Sequence, residues 1–424
     1  MARAEHPVAE AAGRFLESFK RPAKLLIAVS GGSDSTGLLV ALATLLATGR
    51  YPHISLCAST VDHDLRPGSS GEAASVGALC ARYGVPHTIR RWEGPKPGTG
   101  LQAAARVKRY ELLVAAATEA GADAILSAHT RDDQNETVAM RAERAQMGIG
   151  LSGMAGGVLL DETVWLLRPF LDVGRAAIRD FLVAEGEGWI DDPSNLNPRF
   201  ERVRIRTQSD ATSPLPMTDA RLLLAERAAA FLAGHVRMDS AHVFLEARAI
   251  ETALSDPAAW RGLLLVVAMV GGRVHTLEAR SAGRLKTFLA SGTLSRLTAG
   301  RVVFDRRRDG LHLYREDRGI VPLVLPPGQA AAWDGRYRLS NRAARPVVVS
   351  AGGGVAGQAG ASLRASRTAP GLKFEDGDML GASDVFIEPV IAPYARFLPR
   401  FDLPLANALA DILGRARFVS PPNE

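Results

Sequence analysis

The chain has 424 residues, of which 47% are hydrophobic and 23% are charged. This composition is ordinary for a globular protein, so wholesale disorder is excluded, and the length predicts roughly two or three domains. The two cysteines exclude a disulfide scaffold and a four-cysteine zinc site. We find no apolar run of about 18 residues that would span a membrane and no apolar signal-peptide core, so we expect a cytoplasmic protein.

The basic residues are strongly biased towards arginine. Only six of the 51 basic residues are lysine, the other 45 are arginine, and the net charge is +6. Arginine suits phosphate recognition because its planar fork can donate two hydrogen bonds at once. A GC-rich genome would produce the same bias without any function. The charge therefore permits a nucleic-acid partner but does not require one.

Short apolar runs and helical segments alternate between residues 24 and 130. Such alternation, with short connections, predicts an α/β fold built on a parallel doubly wound sheet with helices on both faces. Ligands of these sheets bind outside the carboxyl ends of the strands, which selects the loops at residues 30–35, 62–66 and 129–133. The predicted strands are residues 24–29, 54–61, 87–90 and 124–127, and the predicted helices are residues 36–46, 72–83 and 101–117.

The first of these loops combines glycines, hydroxyl groups and one acid. Two glycines allow backbone N–H groups to converge on an anion, and the next helix points its positive end to the same place. The loop therefore predicts a phosphate site, although it matches neither the Walker A pattern nor the dinucleotide fingerprint. An acid among phosphates needs a cation between them, which predicts a metal–nucleotide complex with Mg²⁺. The loop residues are Ser30, Gly31, Gly32, Ser33, Asp34 and Ser35.

The pattern Ser-Gly-Gly-x-Asp-Ser after a first strand resembles the nucleotide loop of the N-type ATP pyrophosphatases, the PP-loop superfamily. Within that superfamily, the order of six further motifs resembles the tRNA(Ile)-lysidine synthase family over residues 24–206. This chain differs at Thr130, where the family usually has a second histidine, and at residues 144–148, where it often has an Arg-Gly pair. The six motifs are residues 61–66, 105–110, 128–137, 150–154, 168–171 and 189–195.

The resemblance implies a ligase that acts on tRNA. Enzymes of this family use ATP to adenylate the wobble cytidine of a CAU-anticodon tRNA(Ile), and free L-lysine then displaces AMP to give lysidine. The alternatives are another tRNA-modifying enzyme of the superfamily, such as a sulfur transferase, or an ATP-binding regulatory module. A sulfur transferase needs reactive cysteines, whereas Cys57 and Cys80 lie in a predicted strand and a predicted helix. An oligomer is compatible with the sequence.

Four residues form the predicted catalytic set. We expect Asp34 and Asp133 to bind the metal, and His129 to contact phosphate or assist proton transfer. Helix capping alone would explain one or two of the acids after the fourth strand. The resemblance places Arg109 near the α-phosphate or near lysine. The predicted substrate contacts, for which solvent exposure is the alternative explanation, are Arg66, Arg106, Arg202 and Arg204.

The composition changes after residue 206, where a polar, proline-containing segment predicts a linker at residues 207–216. We predict a PP-loop ATP pyrophosphatase domain over residues 1–206, a mostly helical tRNA-binding domain over residues 217–330, and a small accessory region over residues 331–424. Helical spacing within the second domain favours helices at residues 218–233, 257–270 and 276–290, followed by strands at residues 300–304 and 311–314.

Overall fold

The computed structural model of the chain falls into two compact units. The first comprises Met1–Arg221 with Val419–Glu424, and the second comprises Leu222–Phe418. Three of the predicted substrate contacts, Arg66, Arg202 and Arg204, lie outside the described residues, as does the predicted linker. The structure describes residues 6–65, 68–144, 152–191, 218–239, 241–353, 359–381 and 383–424.

The first unit alternates strands with helices, and every strand and helix that we predicted between residues 24 and 130 is present. The structure adds an N-terminal helix and a strand pair near the end of the unit. In chain order the elements are α1 (Pro7–Glu17), β1 (Ala23–Ala28), α2 (Ser33–Ala47), β2 (Ile54–Asp62), α3 (Ser69–Arg82), β3 (His87–Arg91), α4 (Leu101–Ala120), β4 (Ala124–Leu126), α5 (Arg131–Arg144), β5 (Gly157–Leu160), β6 (Val164–Leu167) and α6 (Arg175–Ala184).

Six strands of the first unit form one sheet in the order β5-β6-β4-β1-β2-β3. All neighbours are parallel except β5, which runs antiparallel to β6. Side chains of β1 alternate between the two faces. Leu26 packs with Leu113 and Ala117 of α4 on one face, while α2 packs with α1 and α6. The predicted doubly wound fold is therefore confirmed.

The position of β1 decides where a ligand can bind. The chain builds β1, β2 and β3 outward in one direction, then crosses back so that β4 pairs with the other side of β1, with Leu26 beside Ile125. At such a crossing the loops after β1 and β4 diverge and leave a crevice at the carboxyl end of the sheet. Residues 30–35 and 129–133 follow these two strands, so the crevice lies between the two predicted loops.

The second unit contains helices and antiparallel sheets. The elements are α7 (Thr218–His235), β7 (Val236–Asp239), β8 (His242–Glu246), α8 (Ala247–Ser255), α9 (Pro257–Val270), α10 (Ala279–Ala290), β9 (Arg296–Ala299), β10 (Val302–Arg306), β11 (Gly310–Arg315), β12 (Leu323–Leu325), β13 (Ala330–Trp333), β14 (Tyr337–Asn341), β15 (Val347–Ala351), α11 (Gly360–Ser366), β16 (Pro370–Phe374), β17 (Val385–Pro389), β18 (Phe397–Pro399), a 3-10 turn (Arg400–Asp402) and α12 (Leu403–Leu413). Strands β7 to β11 form a sheet in the order β7-β8-β11-β10-β9, and two three-stranded sheets follow, β12-β15-β16 and β13-β14-β17.

Helices α7, α9 and α10 and strands β10 and β11 match the elements that we predicted over residues 217–330. Helix α8 and strands β7, β8, β9 and β12 were not predicted, and they make this region a mixture of helices and sheet. The division of the second unit at residue 330 stays a prediction. Within the described residues, no single helix is both long and apolar enough to cross a membrane, and the bent pair α8 and α9 meets that test only when joined.

Candidate active site

The loop after β1 is held in shape by its own serines. The Ser35 hydroxyl accepts a hydrogen bond from the backbone N–H of Ser30 at 3.1 Å and lies 3.2 Å from the carbonyl oxygen of Gly32, to which it donates. Gly31 has φ +85°, a backbone angle that residues other than glycine rarely adopt. Gly32 directly precedes Ser33, the first residue of α2. The loop thus presents the N-terminus of a helix at the crevice, as the phosphate-site prediction requires.

A segment around Ile190, late in the sequence of the first unit, packs against this loop. The backbone N–H of Ile190 donates to the Gly31 carbonyl oxygen at 2.8 Å. A Cβ atom built on Gly31 would lie 2.8 Å from Cδ1 of Ile190 and 3.1 Å from Cγ2 of Val76. The absence of a side chain at Gly31 therefore permits both the backbone conformation and the close approach of Ile190.

The loop after β4 orients Asp133 through a helix cap. Oδ2 of Asp133 accepts hydrogen bonds from the backbone N–H and the hydroxyl of Thr130, at 2.8 and 3.0 Å. The Thr130 hydroxyl in turn accepts from the backbone N–H of Asp133 at 3.3 Å. This reciprocal pair is a capping box, which satisfies backbone donors at the start of α5. Thr130 stands where the family usually has a second histidine, and here it fixes the direction of Asp133.

Arg175 joins the two predicted metal ligands. Its Nε donates to Oδ2 of Asp34 at 3.0 Å, and its Nη2 donates to Oδ1 of Asp133 at 3.1 Å. A third carboxylate, that of Glu136, lies 3.9 Å from Nη1. The structure therefore brings Asp34 and Asp133 together, as predicted, but through a residue that the sequence analysis did not select. Arg175 follows the unpredicted strand β6, and nothing in the sequence separates it from the other arginines.

The charges of this cluster do not balance. Burial raises the pKa of Asp34 above its usual value, Arg175 opposes that rise, and the nearby charge of Asp133 adds to it. For Arg175, burial alone would lower the pKa, but Asp34 and Asp133 outweigh burial and raise it. One guanidinium is thus shared by several carboxylates and does not neutralise them. The cluster retains negative charge that a further cation would offset.

These carboxylates fit a magnesium ion that also binds phosphate. Mg²⁺ usually takes one or two carboxylates and completes its shell with water and phosphate oxygens. The side chains of Asp34 and Asp133 are 23% and 22% exposed, so solvent reaches both. In the part of the chain that the structure describes, no group of three or more His, Cys, Asp or Glu residues forms a metal cage. The donor set therefore suits a metal that arrives with nucleotide.

Three other predicted site residues, His129, Arg106 and Arg109, lie in the described part of the chain. His129 follows β4, and its Nδ1 lies 2.9 Å from the Ser127 hydroxyl. Arg106 lies over the ring of Tyr110, 5.1 Å from its centroid. Desolvation lowers the pKa of Arg109, with Arg106 adding to the decrease. Desolvation also lowers the pKa of the half-buried His63, and the charge of Arg109 adds to that decrease, so Arg109 lies near the loop after β2.

A further buried cation lies at the end of β6. Arg168 is 9% exposed and donates to the carbonyl oxygen of Ala155. Desolvation lowers its pKa to about 10, and its Nε has no hydrogen-bond partner among the described residues. Arg168 is the first residue of the family motif at residues 168–171, but we predicted no role for it. Its side chain also has a hydrogen bond with Tyr110, and none of the described ion pairs joins it to a carboxylate.

The two cysteines are buried and provide no evident nucleophile. Burial raises the pKa of Cys57, and burial raises the pKa of Cys80 to about 11. We therefore expect an aromatic disulfide reagent at pH 8 to leave both thiols unmodified in the native protein, since about one Cys80 in a thousand would be ionised. Unfolding in guanidinium should expose two reactive thiols per chain. Rapid labelling of the native protein would restore the sulfur-transferase alternative.

The chain resembles a known domain family and several known proteins. A family model for the PP-loop domain matches residues 4–209. The chain is 47% identical over 442 residues to the tRNA(Ile)-lysidine synthase of Rhizobium meliloti (strain 1021), with 98% of this chain and 97% of that protein covered. It is 38% identical to that of Mesorhizobium japonicum over 93% of each protein, and 35% identical to that of Brucella canis over 93% of this chain and 96% of the relative. The chain belongs to the tRNA(Ile)-lysidine synthase family.

Proposed function

We propose that the protein joins free L-lysine to C2 of the wobble cytidine in a CAU-anticodon tRNA(Ile), with cleavage of ATP to AMP and pyrophosphate. The observation that carries this proposal is the meeting of Asp34, from the loop after β1, with Asp133, from the loop after β4, at the crossing point of the sheet. ATP binding and membership of a tRNA-modifying ligase family support it. A cytoplasmic location stays a prediction.

The reaction needs two substitutions. The cytidine O2 first attacks the α-phosphorus of ATP, and pyrophosphate leaves. The lysine amine then attacks C2, and AMP leaves as a good leaving group in place of a poor amide-like oxygen. When bound, Mg²⁺ would offset the charge of the triphosphate. The anticodon loop exposes the target base, which a paired stem would hide.

The residues of the crevice have separate tasks in this scheme. The loop of residues 30–35 binds the departing pyrophosphate through backbone N–H groups and serine hydroxyls. Asp34 and Asp133 would hold the metal, and we assign to His129 the transfer of the proton that the lysine amine must lose. Arg109 offers positive charge to the α-phosphate or the lysine carboxylate.

The remaining arginines would contact tRNA. Arg106 is exposed on α4 and stacked on Tyr110, so its donors face solvent. Arg66, Arg202 and Arg204 lie outside the described residues, and their assignment rests on the sequence pattern alone. Alternate arginines in an extended segment would project from one face and contact phosphates. Binding of tRNA by the second unit, around residues 217–330, is part of the same proposal.

A labelling experiment tests the function directly. The full chain is incubated with ATP, labelled L-lysine and tRNA(Ile) transcripts that carry either cytidine or uridine at the wobble position. We expect label to enter only the cytidine transcript, with one AMP and one pyrophosphate formed per lysine. With tRNA but no lysine, pyrophosphate release should stop at about one pyrophosphate per enzyme molecule. Formation of ADP, or pyrophosphate release that does not depend on tRNA, would overturn the proposal.

A further inference from the structure

Four charged side chains meet at the crevice, and only one of them is positive. Arg175 lies within 3.9 Å of the carboxylates of Asp34, Asp133 and Glu136. Its side chain is 17% exposed, while Asp34 and Asp133 are 23% and 22% exposed. The contacts of Arg175 with Asp34 and Asp133 are therefore partly buried and partly accessible to solvent. One guanidinium thus contacts three carboxylates, and its single charge cannot neutralise all of them.

Arg175 is held at a place that does not otherwise favour a cation. It is the first residue of α6, and its backbone N–H donates to Oδ2 of Asp132 at 2.8 Å. The N-terminus of a helix carries partial positive charge and attracts anions. Asp34 lies in the first turn of α2, and Asp132 and Asp133 lie in the first turn of α5. Three helix N-termini thus converge here, and the carboxylates alone offset the charge of the guanidinium.

We propose that Arg175 is a placeholder for the divalent cation, an inference that rests on the proposed ATP-dependent function. In the nucleotide-free protein its guanidinium contacts both Asp34 and Asp133 and so keeps the two carboxylates together. When the metal–nucleotide complex binds, these two carboxylates would hold the cation. The guanidinium then turns to the triphosphate, for which its fork and the convergent helix N-termini are suited. Arg175 is a positioning residue that exchanges one set of oxygens for another.

The test measures metal binding without any turnover. Mn²⁺ substitutes for Mg²⁺, and its free concentration is followed by electron paramagnetic resonance in the absence of tRNA and lysine. In nucleotide-free protein, Arg175→Met removes the competing cation, so we expect the Mn²⁺ dissociation constant to fall about tenfold, the effect of one charge-assisted hydrogen bond. Adding a non-hydrolysable ATP analogue should tighten Mn²⁺ binding strongly in the natural protein and much less in the variant.

Matched variants separate this role from a structural one. Arg179→Met removes an exposed arginine one turn further along α6 and should leave Mn²⁺ binding unchanged. Arg175→Lys keeps the charge but lacks the separate nitrogens with which the guanidinium contacts Asp34 and Asp133, so it should give an intermediate affinity. Combining Arg175→Met with Asp133→Asn should remove the gained binding. Equal or weaker Mn²⁺ binding by folded Arg175→Met would refute the placeholder role, even if lysine incorporation establishes the function.

Discussion

Asp34→Asn should reduce tRNA-dependent pyrophosphate release by about 1000-fold or more while the protein stays folded, because the change removes a charged metal ligand. We expect the free energy of unfolding at pH 7 to fall by less than about 1 kcal/mol. Burial raises the pKa of this carboxyl, so its ionisation at neutral pH costs the folded state free energy, and removal of that cost offsets part of the lost hydrogen bond from Arg175. Arg175 would still contact Asp133 and Glu136, so no buried charge is left unpaired.

The control for this prediction is Asp172→Asn, which neutralises an acid that is 66% exposed and paired with Arg14. It should change neither pyrophosphate release nor stability by a measurable amount, as is usual for surface pairs. Pyrophosphate release is measured by a coupled assay and stability by urea unfolding on the same preparations. Retained turnover in folded Asp34→Asn would exclude Asp34 as a metal ligand.

Gly31→Ala should weaken ATP binding at least tenfold, since both the left-handed backbone and the approach of Ile190 depend on glycine. A left-handed conformation costs an alanine about 1–2 kcal/mol, so the loop would relax towards another conformation. The new methyl group would also displace Ile190 and weaken its hydrogen bond to the Gly31 carbonyl oxygen. Calorimetric titration with a non-hydrolysable ATP analogue gives the affinity, and urea unfolding gives the stability.

Two variants separate the two expected causes of the Gly31→Ala effect, the left-handed backbone and the contact with Ile190. Gly49 has φ +75°, and a methyl group added there would meet open space, so Gly49→Ala should lose about 1–2 kcal/mol of stability without any loss of ATP binding. Adding Ile190→Ala to Gly31→Ala relieves the contact and should recover stability but not ATP affinity if backbone conformation is the main cause. Unchanged ATP binding by Gly31→Ala would remove the loop from the nucleotide site.

The sheet could be predicted because its signals are local. The run at β1 is short and apolar and ends at a glycine-rich turn, and the strands and helices after it are joined by a few residues each. Strand β5 and its partner β6 were missed although two apolar runs flank a short turn. That turn places Asp161 and Glu162 at positive φ, which those residues adopt less readily than glycine does, so the usual hairpin signal is absent.

The candidate site could be predicted only in part, for a physical reason. The loops after β1 and β4 could be selected because strand ends in a parallel sheet share one edge. Which side chains meet there depends on tertiary packing, and Arg175 reaches Asp34 across 141 positions of sequence. Similarly, the prediction treated capping and metal binding as competing explanations for the acids after β4. In the structure Asp133 caps α5 with one oxygen and faces the crevice with the other.

That division of Asp133 between its two oxygens restricts which ions suit the crevice. Oδ2 is bound by Thr130 at the start of α5, so only Oδ1 is directed at Arg175. A carboxylate tied in this way is a monodentate donor. Calcium favours six to eight oxygens and often takes both from one carboxylate, whereas magnesium accepts single oxygens in an octahedron. The capping threonine would thereby contribute to selectivity between the two alkaline-earth ions.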